Sequence, residues 1–197
     1  MSLRTSGLRY APRQQPVPVD RWPGVDCPAC PRLITPRGSR ETYKRVVGAW
    51  GNDDLIENAF ALEEYVPSDC PQIGPLRFTF QSVPHFTETF AIRVKSANGG
   101  GELVYGADSR PSDEVVDFAR DADLLLVEAT LPRPERTGMR GHLTPREAGE
   151  HARKAGAKRV VITHISDELD LLWAQTEADG GFGAPVDIAR EGAAYEI

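Results

Sequence analysis

Residues 141–166 read GHLTPREAGEHARKAGAKRVVITHIS and decide the predicted fold. Positions 144–147 form a capping box with proline at the first helical position, and Gly156 favours the left-handed turn that ends a helix. The four apolar or β-branched residues at 160–163 predict a strand that is buried on both faces. The helix carries small residues along one face, which suits close packing on a sheet; these are Ala148, Ala152 and Ala155.

The sequence just upstream supplies the other half of this unit. Residues 124–127 are wholly apolar and predict a second buried strand, so 123–164 form a strand, helix, strand unit with a right-handed crossover. Ser112 is expected to cap a preceding helix, because Asp113 and Glu114 then lie at the positive end of its dipole.

Alternation of polar and apolar residues predicts further strands before this unit. It indicates a half-buried strand over 76–83 and a hairpin across 89–108. Short helices are expected within 38–51, with Ser39 as a possible N-cap, and within 52–67.

Length and composition limit the class of protein. The 197 residues predict a single domain over 1–197, of which 1–37, rich in proline and arginine, form an extended arm or loop. The formal net charge of −6 gives no overall basic surface for nucleic acid. The sequence shows no apolar run that would predict a secretory signal or a membrane span, so we expect a cytoplasmic protein with no membrane partner.

The three cysteines are too few and odd in number for a secreted disulfide scaffold, which also favours the cytoplasm. Cys27 and Cys30 have the spacing of half a zinc knuckle or of a redox pair. A structural zinc site needs about four ligands, and only Cys70 remains. The prolines around this pair favour a loop, so we interpret these cysteines as loop residues.

Four residues with metal-ligand chemistry end or follow predicted strands: His85, Asp108, Glu128 and His164. Ligands bind outside the carboxyl ends of strands in open α/β sheets. Imidazole nitrogen and carboxylate oxygen are ligands that zinc accepts, and a carboxylate can bridge two metal ions about 3.5 to 4 Å apart. Each residue also has an ordinary alternative, since His85 can be a loop histidine and Asp108 can simply begin a turn. Their recurrence in order favours a metal site.

Several segments, in this order, resemble the metallo-β-lactamase superfamily, in its ribonuclease Z-like and phosphodiesterase-like branch. They are VPHFTETFAIRV, GELVYGADSRP, ADLLLVEAT and the stretch 141–166. The resemblance covers 76–166 well and makes 76–197 the best-matched core. It implies an α+β fold, a four-layer α/β/β/α sandwich, with a dinuclear metal site at the edge of the sheets.

The resemblance assigns a role to each candidate residue. It makes His85, Asp108 and His164 metal ligands, with Asp108 bridging two ions. It makes His142 a catalytic residue that assists departure of the leaving oxygen, and Glu128 the carboxylate that orients it. Val127 stands where the corresponding family segment has histidine.

The family's His-x-His-x-Asp-His signature is missing from this sequence. Its four histidines are His85, His142, His151 and His164, and no two are two residues apart. We therefore expect an N-terminally incomplete sandwich, from a misassigned start, a cleaved chain or a natural remnant. Uncovered sheet edges and apolar faces invite association, so we expect a homo-oligomer.

Together these observations predict a metal-dependent hydrolase that acts on phosphodiesters, either RNA or a cyclic nucleotide. The expected cofactor is Zn²⁺, with two ions possible and Mn²⁺ as an alternative. A non-catalytic remnant that keeps the scaffold for binding or assembly is the second hypothesis, and a lactamase role is a weaker third.

Other residues receive ordinary interpretations. His151 is expected to be solvated in mid-helix, and Trp173 to pack a terminal helix onto the sheet. A basic cluster near His142 is consistent either with phosphate attraction or with simple solvation; its members are Arg133, Arg136 and Arg140.

Overall fold

The computed structural model describes residues 30–135 and 137–197. The chain divides into two compact units, the first ending at Glu64 and the second spanning Tyr65–Ile197. The single domain expected over 1–197 stays a prediction. Most of the predicted arm, and Cys27 with it, lies outside the described residues, as does Arg136.

The first unit pairs two strands around two short helices. Its elements are β1 (Arg32–Pro36), α1 (Ser39–Gly48), α2 (Leu55–Ala59) and β2 (Ala61–Tyr65), and β1 pairs with β2. The stretch 1–37, expected to be an extended arm or loop, therefore contains a strand at Arg32–Pro36. Ser39 begins α1 rather than capping it, because Gly38 takes the N-cap position with a φ of 90° that suits glycine.

The second unit is built on one seven-stranded sheet. Its strands follow the chain order β3 (Gln72–Ile73), β4 (Leu76–Val83), β5 (Thr89–Ser96), β6 (Glu102–Tyr105), β7 (Leu124–Glu128), β8 (Arg159–Thr163) and β9 (Asp187–Ile188). The strands β3 to β6 pair antiparallel, and β6 to β9 pair parallel. The predicted strand over 76–83, the hairpin β5–β6 and the parallel unit β7–α4–β8 are confirmed.

Three helices pack on this sheet, namely α3 (Asp113–Phe118), α4 (Pro145–Ala155) and α5 (Leu171–Phe182). The predicted caps are confirmed, since Ser112 accepts a hydrogen bond from the backbone of Val115 and a full capping box starts α4. One core joins the inner faces of the helices and strands; it includes Leu125, Ala148, Ala152, Val160 and Ile162, all fully buried.

The helices α4 and α5 approach so closely that two glycines are required between them. A Cβ on Gly149 would overlap the carbonyl oxygen of Ala178, and one on Gly181 would overlap that of Arg146. Small residues on both helices thus make the contact. Trp173 does not pack α5 onto the sheet as predicted, since it remains 37% exposed; the residues that bury this helix are Ala174, Ala178 and Gly181.

Among the described residues no helix has the length and apolar content needed to cross a membrane.

His151 is buried, which corrects the prediction that it is solvated. It is 6% exposed, its Nδ1 donates to the carbonyl of Glu147 at 2.8 Å, and its Nε2 accepts from the backbone N–H of Ser112 at 3.1 Å. The ring therefore joins α4 to the start of α3 in its neutral form. The error arose because mid-helix position alone does not reveal that α3 covers this face.

Burial lowers the pKa of His151 below its usual range, and the positive charge of Lys154 lowers it further. The hydrogen bond to Glu147 and the negative charge of Asp113 act in the opposite direction but do not outweigh burial. Below about pH 6.5 the unfolded chain takes up a proton that the folded protein resists, so the free energy of unfolding should fall as the pH drops. We predict that His151→Gln, which keeps an acceptor for Ser112 but does not titrate, reduces this pH dependence. Urea unfolding at pH 7.5 and pH 5.5 measures it; an equal loss of stability in both proteins would contradict the prediction.

Candidate metal centre

The carboxyl ends of β6, β7 and β8 meet at one edge of the sheet, and the predicted site residues lie there. Asp108 follows β6, Glu128 ends β7 and His164 follows β8. His142 reaches the same place from the loop before α4. Among the described residues, Asp108, His142 and His164 form a group in which each offers one donor atom within 4.8 Å of the others.

The backbone is strained beside two of these residues. Ala107, directly before Asp108, has a φ of 54°, and His164 has a φ of 50°. Residues other than glycine rarely adopt this left-handed backbone conformation, because it costs them about 1 to 2 kcal/mol. Both residues stand where a central strand stops and the chain turns. The strain is therefore located where the turn directs Asp108 and His164 to the same point.

The side chain of Glu128 is buried beneath the site and connects its segments by hydrogen bonds. It is fully buried, and its two oxygens accept hydrogen bonds from the backbone N–H of Ser109 at 2.9 Å, from the Thr130 hydroxyl at 2.5 Å and from Nδ1 of His142 at 3.0 Å. Ser109 adjoins Asp108 in the chain. One carboxylate thus fixes three of the segments that reach the site.

Thr130 carries this network on to His164. Its hydroxyl oxygen lies 2.8 Å from the carbonyl oxygen of His164 and 3.1 Å from Nδ1 of the same residue. Nδ1 also lies 3.2 Å from a carboxylate oxygen of Asp108. The His164 ring is therefore positioned by contacts to Thr130 and Asp108 on one side.

His85 approaches the group from the loop after β4. Its Nδ1 donates to the carbonyl of Gly141 at 2.9 Å, and its ring centroid lies 4.9 Å from that of His142. This bond leaves Nε2 of His85 with a free lone pair. Phe86 covers Gly141 so closely that a Cβ there would overlap the ring, so glycine is required before His142.

Arg140 has a structural role in the same loop. Its guanidinium makes a two-pronged ion pair with Glu147 and donates from Nε to the carbonyl of His142 at 2.9 Å. Burial raises the pKa of Glu147, but the hydrogen bonds from Arg140 and Thr144 outweigh it and hold that pKa below its usual range. The pairing ties the His142 loop to the capped start of α4, so this arginine is not a free phosphate ligand.

The donor set fits a divalent cation of borderline softness. Two imidazoles and one carboxylate are ligands that Zn²⁺ accepts, and carboxylate oxygen also suits Mn²⁺. Nδ1 of His142 donates to Glu128, which leaves Nε2 as the free nitrogen on the side away from that carboxylate. His85, Asp108 and His164 were predicted as the ligands; the structure brings the last two together with His142, while His85 lies beside His142.

Comparison with known proteins decides the family. The family model for the beta-lactamase superfamily domain matches residues 31–165, more than half of the chain. The chain belongs to the metallo-β-lactamase superfamily. The family model matches from residue 31, whereas the resemblance found in the sequence covered residues 76–166 well. The predicted fold class is confirmed, with the described second unit supplying one sheet and one layer of helices.

Relatives place this metallo-β-lactamase chain in the ribonuclease Z-like branch. It is 32% identical over 137 residues to the probable metallo-hydrolase YhfI of Bacillus subtilis, covering 67% of this chain and 53% of that protein. It is 40% identical over 101 residues to a ribonuclease Z of Halobacterium salinarum, covering 50% of this chain and 33% of that protein. The chain thus spans about half, or less, of the length of these relatives.

A solved structure shows the same fold. The crystal structure of the metallo-β-lactamase fold protein YhfI superposes with a TM-score of 0.71 and 25% identity, covering 84% of this chain and 64% of that one.

Sequence reasoning missed three residues of this metallo-β-lactamase site: Ser109, Thr130 and Gly141. Thr130 stands two positions after Glu128 in the segment VEAT, so its presence beside a predicted site residue was a usable signal. The contribution of Ser109 is made by its backbone N–H, which any residue but proline carries, so its type gave no signal.

We predict that Glu128→Gln destabilises the protein by about 2 to 4 kcal/mol, because the amide has one acceptor oxygen where the carboxylate has two, and three donors compete for it. The matched control is Glu150→Gln on α4, where the carboxylate pairs with Arg146 near the surface and the expected change is below about 0.5 kcal/mol. Denaturant midpoints of the two variants measure the difference. Equal midpoints would mean that the network around Glu128 does not support the fold.

Proposed function

We propose that this chain acts as a metal-dependent hydrolase of phosphodiesters. The observation that carries the proposal is the meeting of Asp108, His142 and His164 at one sheet edge. The buried Glu128 carboxylate accepts hydrogen bonds from His142 and from the backbone N–H of Ser109, the residue after Asp108. The relatives named as a metallo-hydrolase and as ribonuclease Z support this reaction class. His85, Asp108 and His164 are the proposed ligands, and Zn²⁺ or Mn²⁺ the proposed metal.

A divalent ion held by these residues would lower the pKa of a water molecule, to about 7 for Zn²⁺, and would polarise a phosphoryl oxygen. The protein's own residues supply the proton. Glu128 accepts from Nδ1 of His142, which fixes the orientation of the ring. His142 is therefore the proposed general acid, donating from Nε2 to the departing oxygen.

The proposed substrates are RNA or a cyclic nucleotide. Both carry the phosphodiester that this site would hydrolyse, and the ribonuclease Z relative supports the first of them. Cytoplasmic location and homo-oligomerisation stay predictions.

A non-catalytic role in binding or assembly is the second candidate. It is favoured by one observation, the lack of a His-x-His-x-Asp-His segment in these 197 residues, since two ions need more ligands than the described group offers.

Hydrolysis of bis(p-nitrophenyl) phosphate with added Zn²⁺ or Mn²⁺ separates the two candidates. We predict release of p-nitrophenolate from this ester. With a diribonucleotide, whose departing hydroxyl must take up a proton, His142→Gln should lower kcat about 100-fold or more, because no side chain then donates that proton. Arg146→Gln, on the surface of α4, should retain the activity. Release no faster than that of the metal ions alone would reject the hydrolase and leave the binding role.

Metal binding is measurable without turnover. We predict that the protein binds Mn²⁺ in calorimetric titration and that His164→Ala weakens the binding at least about tenfold, since it removes a donor. Mn²⁺ is chosen because cysteine thiolates compete for Zn²⁺. Asp117→Asn on the surface of α3 is the control. An unchanged Kd in His164→Ala would place the ion elsewhere.

A further inference from the structure

A groove of about 430 Å³ has His164 in its wall, and its other lining residues have no role in the candidate metal centre. Its wall consists of apolar side chains from the end of β8, the first turn of α5 and the end of β9, with one cation among them. The residues that matter are Ile165, Leu171, Leu172, Ile188 and Arg190. The volume lies in the lower part of the range of about 300 to 1,000 Å³ that is typical of small-molecule sites.

Strand register places the cation next to the metal centre. In the parallel pair β8–β9, Ile162 is opposite Ile188, and the backbone N–H of Ala189 donates to the carbonyl of Ile162 at 2.9 Å. Arg190 therefore leaves the sheet at the same edge as His164, one strand further along. Neighbouring strands lie about 4.8 Å apart, and both residues line the same groove.

Arg190 is available for an anion. Its side chain is exposed, and within residues 30–135 and 137–197 no carboxylate pairs with its guanidinium. A guanidinium binds phosphate oxygens in a two-pronged geometry that suits a phosphodiester anion.

The apolar wall is also available. Leu171 is 55% exposed and Leu172 is 72% exposed, at the first turn of α5. Asp170 caps this turn by accepting from the backbone N–H of Trp173 at 2.8 Å, so the leucines sit on a defined helix start. Exposed apolar area next to an unpaired cation matches a ligand that is apolar at one end and anionic at the other.

We propose that this groove is the subsite for the organic group of the phosphodiester. An aromatic or similarly flat apolar group lies on Leu171 and Leu172, while Arg190 binds the phosphate that reaches His164. The groove thereby selects small phosphodiesters with an apolar substituent over those with small alkyl groups. This inference rests on the proposed function in that the ligand is a phosphodiester.

Binding of two probes tests the groove separately from catalysis. The probes are bis(p-nitrophenyl) phosphate and dimethyl phosphate, which share the anion and differ in the organic group. Backbone amide shifts of the metal-free full chain are followed by NMR at increasing probe concentration, so no hydrolysis interferes. We expect the aryl probe to bind at least about tenfold more tightly and to shift the amides of Leu171, Leu172 and Arg190.

Variants assign the two halves of the ligand. Leu172→Ala should raise the Kd of the aryl probe about fivefold and leave that of dimethyl phosphate unchanged, because only the aryl group contacts the leucine. Arg190→Gln should raise both constants about tenfold, and Arg190→Lys should recover part of the loss. Leu76→Ala on β4 and Arg153→Gln on α4 are matched controls on surfaces outside the groove.

The outcomes separate this inference from the proposed function. Aryl-selective binding that Leu172→Ala weakens supports the groove even if the protein hydrolyses neither ester. Equal affinity for the two probes, shifts confined to other regions, or an unchanged Kd in both groove variants would overturn it, and would do so even if bis(p-nitrophenyl) phosphate is hydrolysed.

Discussion

The buried carboxylate of Glu128 is the constraint on which the site depends. A carboxylate in the protein interior persists only when hydrogen bonds replace the water it has lost, and here the donors come from the segments after β6, after β7 and before α4. The hydrogen bonds that Glu128 needs are therefore formed only when these loops are in place, so the same contacts stabilise the carboxylate and assemble the site. The sheet brings the strand ends to one edge, and the hydrogen bonds to Glu128 fix the positions of the loops that follow or approach them.

Around this centre lies a second set of polar contacts that anchors α4. Arg140 and Glu147 attach the His142 loop to the capped start of the helix, and His151 attaches the same helix to Ser112 at the start of α3. Both sets include residues of the loops that reach the candidate metal site. The apolar core beneath fixes the distance between sheet and helices, whereas these polar contacts fix the position of individual side chains above it.

Much of this arrangement could be predicted because local chemistry determines it. The capping box at 144–147, the alternation over 76–83 and the apolar run at 124–127 each depend on neighbouring residues only. The convergence of Asp108, Glu128 and His164 followed from the shared edge of parallel strands. What escaped prediction depends on contacts across the fold: the burial of His151 beneath α3, the strand at Arg32–Pro36 within the expected arm, and the hydroxyl of Thr130 between two site residues.

The glycine contact between α4 and α5 has an evolutionary consequence. Because Gly149 and Gly181 lock the backbones together along the later turns of α5, most changes there would force the helices apart. The opening turn, with Leu171 and Leu172, is outside that lock and bears little of the fold's stability. Substitutions can accumulate in this one turn while the packing of α4 on α5 stays intact, so this edge of the fold is free to diverge.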